Sequence, residues 1–200
     1  HQLLSSSGSF LGKEQPLNES LAIQSLLRTL ISQAEHSQKP MYRILMKRIT
    51  SLLDEWPRYS LQRNQAVHGK AIRHVLYLID DTITQSLLAA DKEHVFKQYQ
   101  SAWPVTLNAI DSLSRFRHTI HSYHPNSKAI KRELGLHTQI LRRRLGQMTV
   151  RSSNPAPPLI IEALFDQFDK IDLDNPDPGL VKEQLYHFSL QVSEAIFNLF

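Results

Sequence analysis

The chain has no cysteine among its 200 residues. That excludes disulfides, thiolate nucleophiles and cysteine zinc sites, and suits either side of a bacterial inner membrane, with the cytoplasm favoured. Glycine is scarce, at 6 residues, and none sits in a phosphate-cradling loop or a nucleophile elbow. No paired-carboxylate motif stands out either, so an enzyme is not expected and no cofactor is implied. No apolar run approaches the roughly 20 residues of a membrane-spanning helix. The chain starts at His1 without methionine or signal peptide, and Phe200 stands inside an apolar helical pattern. It therefore reads as an excised piece of a longer protein, whose other parts could hold an output domain or a membrane segment.

What is present is helical periodicity. Apolar residues make up 41% and charged residues 21% of the chain, the balance of a folded domain. A helix is expected from about Leu17 to His36, with Asn18 or Ser20 as cap and Leu21, Leu27, Leu30 and Ile31 as its apolar set. Pro40 starts a second, which Pro57 stops. A third covers about Leu61 to Ala90, with Leu61, Ile72, Val75, Leu76, Ile79, Ile83 and Leu87 inward. A fourth follows from Lys92 to Tyr123, capped by Asp91 and interrupted by Pro104, and a fifth runs from Ser127 to about Met148. Ser152 to Pro158 is the clearest linker, and two shorter helices flank the loop Asp172 to Gly179. The expected fold is all-α: a helical bundle of long antiparallel helices over residues 1–150, with a smaller C-terminal helical hairpin over 151–200 packed on it or extending it.

Charge is uneven. Lys128 to Arg151 holds Lys128, Lys131, Arg132, Arg142, Arg143, Arg144 and Arg151 against Glu133 alone. Residues 159–200 hold eight acids against Lys170 and Lys182. The two segments either face each other within the fold or leave a basic surface for nucleic acid or anionic lipid. Interleaved aromatics and a recognised nucleic-acid fold are missing, so no nucleic-acid partner is expected. In the acidic loop, Pro176 and Asp177 occupy positions where a calcium loop needs an oxygen ligand and a glycine, so the loop is read as a negatively charged helix start.

The anomaly is Arg117. At about 100° per residue, Phe96, Tyr99, Trp103, Leu107, Ile110, Leu113 and Ile120 share one side of the 92–123 helix, and Arg117 falls among them with His121 one turn on. A guanidinium on a core-facing stripe needs a partner, because burying an isolated charge is costly. Either a carboxylate of another helix or an external anion meets it. On the third helix, His68 and Gly69 fall on the apolar side, Arg73 sits at its edge and His74 lies opposite. Gly69 would permit close helix contact. His68 reads as a core histidine or a ligand contact, Arg73 as a surface arginine or a second contact to the anion. His118, His121 and His124 are spaced for two to share a metal, but no third-ligand signature accompanies them.

These residues resemble the nitrate- and nitrite-sensing (NIT) domain family. Its first motif reads His-x-Leu-Gln-Lys-Glu-Arg-Gly; His1 to Gly8 keeps the histidine, leucine and glycine. Its Tyr-x-x-Leu-Ile-Asp helix is similar to Val75 to Asp80, and its Glu-x-x-Gly-x-Glu-Arg motif to Asp111 through Arg117. Ser7 stands where the family has its first arginine, and Ser114 where it has a glycine. The resemblance implies a bacterial helical sensor in which arginines at a helical interface bind an oxyanion; Arg117 alone carries over.

Two functions follow as expectations. The first is a signal-sensing domain that binds a nitrate-like anion or polar metabolite between helices through Arg117, His121, Arg73 and His68, and relays a helix shift to an output module, as monomer or homodimer. The second is a non-enzymatic protein-interaction domain in which Arg117 is a structural ion pair.

Overall fold

The computed structural model describes residues 14–55, 58–151 and 158–199. They fold as α1 (Glu14–Gln33), α2 (Lys39–Glu55), α3 (Leu61–Ala89), α4 (Glu93–His121), α5 (Lys128–Arg151), α6 (Pro158–Asp169) and α7 (Pro178–Leu199), with no strand among the described residues. The all-α expectation holds. No described helix is long and apolar enough to cross a membrane.

Side-chain caps set three of the helix starts. Ser60 Oγ accepts from the Arg63 amide at 3.3 Å and caps α3. Asp177 Oδ1 accepts from the Gly179 and Leu180 amides at 2.8 and 3.2 Å, so the acidic loop caps α7, with Pro178 in its first turn. Ser127 caps α5 through the Ile130 amide at 3.4 Å. Two expected caps are corrected. Asn18 and Ser20 lie inside α1, which begins at Glu14. Asp91 does not cap α4 but takes φ 52°, the left-handed turn that a short polar side chain tolerates. Lys92 holds the cap position without a side-chain bond. Trp56 and Pro57 lie outside the described residues.

The chain divides into two compact units at Ala90/Asp91, not near residue 150. α6 and α7 share one core with α4 and α5. Phe116, Phe165, Phe188, Leu134, Leu141, Leu145, Leu185 and Ile196 are fully enclosed there. Phe116 meets Phe188 edge-on with ring centroids 5.6 Å apart, and Phe165 meets Phe188 likewise at 5.7 Å. Such pairs add roughly 0.5–1.5 kcal/mol beyond burial. The Tyr123 hydroxyl donates to the Leu173 carbonyl at 2.7 Å, tying the loop before α7 to the end of α4. The opposite charges of the sequence do face each other. Arg142 lies 3.9 Å from Glu162 and 3.5 Å from Asp169, and Lys131 pairs with Asp174.

The first unit is thinner. α1 packs on α2 and α2 on α3. Leu27, Leu45 and Leu78 form the buried cluster, with Tyr42, Met46, Ile49 and Val75 against it. The buried line of α3 is Asn64, Ala71, His74 and Leu78. Two expectations are corrected: His74 is buried rather than outward, and Ile79 is 37% exposed rather than inward. The apolar stripe of α3 is wider than its contact with neighbouring helices, so part of it is left open.

Candidate functional site

α4 carries Arg117 at the edge of its buried face rather than at the centre. The buried residues are Trp103, Thr106, Ala109, Ser112, Leu113, Phe116, Thr119 and Ile120. Phe96, Tyr99, Leu107 and Ile110, expected on the inward stripe, are half-buried. The inward face turned because three hydroxyls are buried at little cost. Thr106, Ser112 and Thr119 each donate to the carbonyl four residues earlier, at 3.2, 2.7 and 3.2 Å. Ala109, fully buried, leaves room for close packing.

The partner of Arg117 is neither of the two expected. Nε donates to Ser189 Oγ and Nη2 to the Ser189 carbonyl, each at 3.0 Å. Ser189 is fully buried, and its hydroxyl donates in turn to the Tyr186 carbonyl at 2.7 Å. The Tyr186 ring lies 6.0 Å from the guanidinium carbon. Among the described residues Arg117 enters no ion pair. Burial lowers its pKa, yet arginine stays cationic in proteins. The half-buried charge is held by a hydroxyl, a carbonyl and an aromatic face, so the link between α4 and α7 is a polar clamp rather than a salt bridge.

One turn on, His121 is half-buried. Burial lowers its pKa, and neighbouring His118 and Lys182 lower it further. The Lys182 ammonium donates to the His121 carbonyl at 3.3 Å, a cation at the carbonyl end of α4. Sequence reasoning missed Lys182 and Ser189. Ser189 was detectable: it lies four residues after Leu185 and three before Val192, a serine inside the apolar stripe of α7. His124 is exposed, its Nδ1 accepting from the Asn126 amide at 3.4 Å. Among the described residues no group of three or more His, Asp or Glu side chains could hold a metal.

His68 and Arg73 belong to the first unit, Arg117 and His121 to the second. The four do not form one site within either unit. His68 is half-buried, its Nε2 meets no partner among the described residues, and burial pushes its pKa down to about 4. His74 is buried with neither ring nitrogen bonded, and burial lowers its pKa, with Arg48 adding to the effect. Arg73 is exposed and lies over Gly69: a Cβ built there would stand 3.9 Å from both terminal guanidinium nitrogens. Gly69 thus meets the arginine of its own helix, not the neighbouring helix expected there. His1 to Gly8, the first NIT-like motif, lies outside the described residues.

The first unit holds an apolar groove of about 330 Å³. Ile23, Leu26, Leu27 and Leu30 of α1 form one wall, Tyr42, Leu45 and Ile49 of α2 the floor, and Val75, Leu78, Ile79, Thr82 and Ile83 of α3 the other wall. Leu26 is 61% exposed, Ile23 47% and Leu30 36%. Among the described residues no charged side chain lines the groove, and the Thr82 hydroxyl donates to the Leu78 carbonyl at 2.7 Å. A second cavity, of about 460 Å³, opens beside α6 and α7 in the second unit.

Fold and groove define the class: two all-α helical units, the first with an apolar trough among its described residues. No protein-family model, curated protein or solved structure matches the chain.

Proposed function

We propose that the chain is a non-enzymatic protein-interaction module whose first unit accepts an amphipathic helix of a partner protein. The apolar groove carries this reading. Soluble proteins seldom leave contiguous apolar surface open without a partner for it. From Val75 to Ile83 the α3 wall runs about 12 Å at 1.5 Å per residue. That is just over two helical turns, the reach of anchors at i, i+3 and i+7. The uncharged lining suits leucine-like side chains and offers nothing to a polar metabolite. The test is fluorescence anisotropy with a labelled amphipathic helical peptide of about 15 residues bearing leucines at that spacing. Saturable binding that is lost in Leu26→Glu supports the reading. Failure to bind, or binding indifferent to Leu26→Glu, removes it.

One observation favours the small-anion sensor as a second reading. Arg117, His118, His121 and Lys182 gather where α4 meets α7, and none of them enters an ion pair among the described residues. The NIT resemblance supports it through Arg117. Against it stands Ser189, which occupies the Nε–Nη2 edge that a planar oxyanion would use. Thermal shift with sodium nitrate and nitrite, on the wild type and on Lys182→Met, tests this reading.

A further inference from the structure

The cavity of the second unit lies between the end of α6 and the first turns of α7. Its apolar lining is exposed Leu180, half-buried Ile171 and buried Phe188, the last a member of the aromatic core. Its rim carries Lys170, just past α6, and Glu183 with His187 one turn further along α7. Lys170 and Glu183 line the same cavity, yet neither enters an ion pair with the other or with any described residue. Nor does either side chain of Gln167 and Gln184, which complete the rim, make a hydrogen bond among the described residues.

A cation and an anion that line one depression without pairing, beside apolar side chains, define a complementary ligand. It has a negative end for the Lys170 ammonium, a positive end for the Glu183 carboxylate, and an apolar body against Phe188, Leu180 and Ile171. The depression is open to solvent and, at about 460 Å³, has room for a small ligand. The geometry points to a binding site for a small zwitterion with an apolar side chain, an amino-acid-like ligand. Glu183 holds its ammonium, Lys170 its carboxylate, and His187 and the two carboxamides supply further hydrogen bonds. The site lies wholly in the second unit and does not rest on the groove of the first.

Isothermal titration of the whole chain with L-leucine, N-acetyl-L-leucine and L-leucinamide tests it. L-leucine should bind saturably. The acetylated compound lacks the cation and the amide lacks the anion, so each should bind at least about tenfold more weakly, a difference of about 1.4 kcal/mol. Lys170→Met should weaken L-leucine about tenfold while leaving L-leucinamide unchanged, and Glu183→Gln should weaken L-leucine while leaving N-acetyl-L-leucine unchanged. Both side chains are exposed, so far-UV circular dichroism of the variants should match the wild type. Absence of saturable binding by L-leucine up to about 10 mM overturns the proposal, a limit far weaker than a useful site. Binding that the capped compounds share equally, or that survives both substitutions, overturns it as well.

Discussion

Arg117 grips Ser189 twice, through the side-chain oxygen and through the backbone carbonyl, at 3.0 Å each. The clamp joins α4 to α7 across 72 residues of sequence without an opposite charge. Hydrogen bonds from a charged group contribute roughly 1.5–3 kcal/mol. Arg117→Ala should therefore destabilise the chain by about that much, less than the roughly 3–5 kcal/mol of stranding a buried carboxylate. Ser189→Ala keeps the carbonyl contact and should cost about 1 kcal/mol. A double-mutant cycle by urea denaturation should return a coupling energy of about 1 kcal/mol. Strict additivity would mean that the bond from Nε to the Ser189 hydroxyl contributes nothing.

Acid should weaken the fold. The pKa values of His68, His74 and His121 are all lowered, first by burial and, for His68, to about 4. Each ring is harder to protonate folded than unfolded, where its pKa is near 6.5. The stability tied to neutral rings is thus complete above about pH 6.5 and is lost as pH falls toward 4. Denaturant titrations from pH 7.5 to 4.5 should show falling stability, with a loss on the order of 1–3 kcal/mol. His68→Gln should flatten that slope; an unchanged slope would show that His68 titrates normally.

The units should differ in resistance to opening. The second has a large core centred on Phe116, Phe165 and Phe188, the first a buried cluster of three leucines. Amide hydrogen exchange should be slowest in α4, α5 and α7, and faster throughout α1 to α3. Phe116→Ala should cost roughly 3–5 kcal/mol and abolish the slow protection of the second unit. Equal protection in both units would contradict this ordering.

Sequence periodicity gave the helices because apolar residues every three to four positions report a buried face whatever covers it. It erred in the angle of that face. On α4, Thr106, Ser112 and Thr119 look polar, but each bonds back to its own helix and is buried. On α3 the error ran the other way: Ile79 and Ile83 look like core but line the groove. Arg117 stood out correctly as a residue needing a partner. Its partner did not, because a serine carries no charge for complementarity to reveal. The division at Ala90 was hidden because Asp91 resembles a helix cap, whereas the Ser152–Pro158 segment has the composition of a domain linker.

The groove residues should separate binding from folding. Leu26 is 61% exposed and Leu45 is 3% exposed. Leu26→Glu should leave thermal stability within about 0.5 kcal/mol of wild type, whereas Leu45→Ala should cost roughly 2–5 kcal/mol. A strongly destabilised Leu26→Glu variant would mean that the groove is packed against the chain itself.

The proposed occupant of the trough of α1, α2 and α3 is a helix from another protein. Methyl-labelled NMR spectra, recorded while the leucine-bearing helical peptide is titrated in, test it most directly. Saturable shifts at Ile23, Leu26, Leu30, Ile79 and Ile83, with the methyl groups of Leu185, Val192 and Ile196 unmoved, are the predicted result. Groove methyl shifts that depend on protein concentration without peptide would assign the trough to a second copy of this chain, and no shift at saturating peptide would show that the trough takes no such helix.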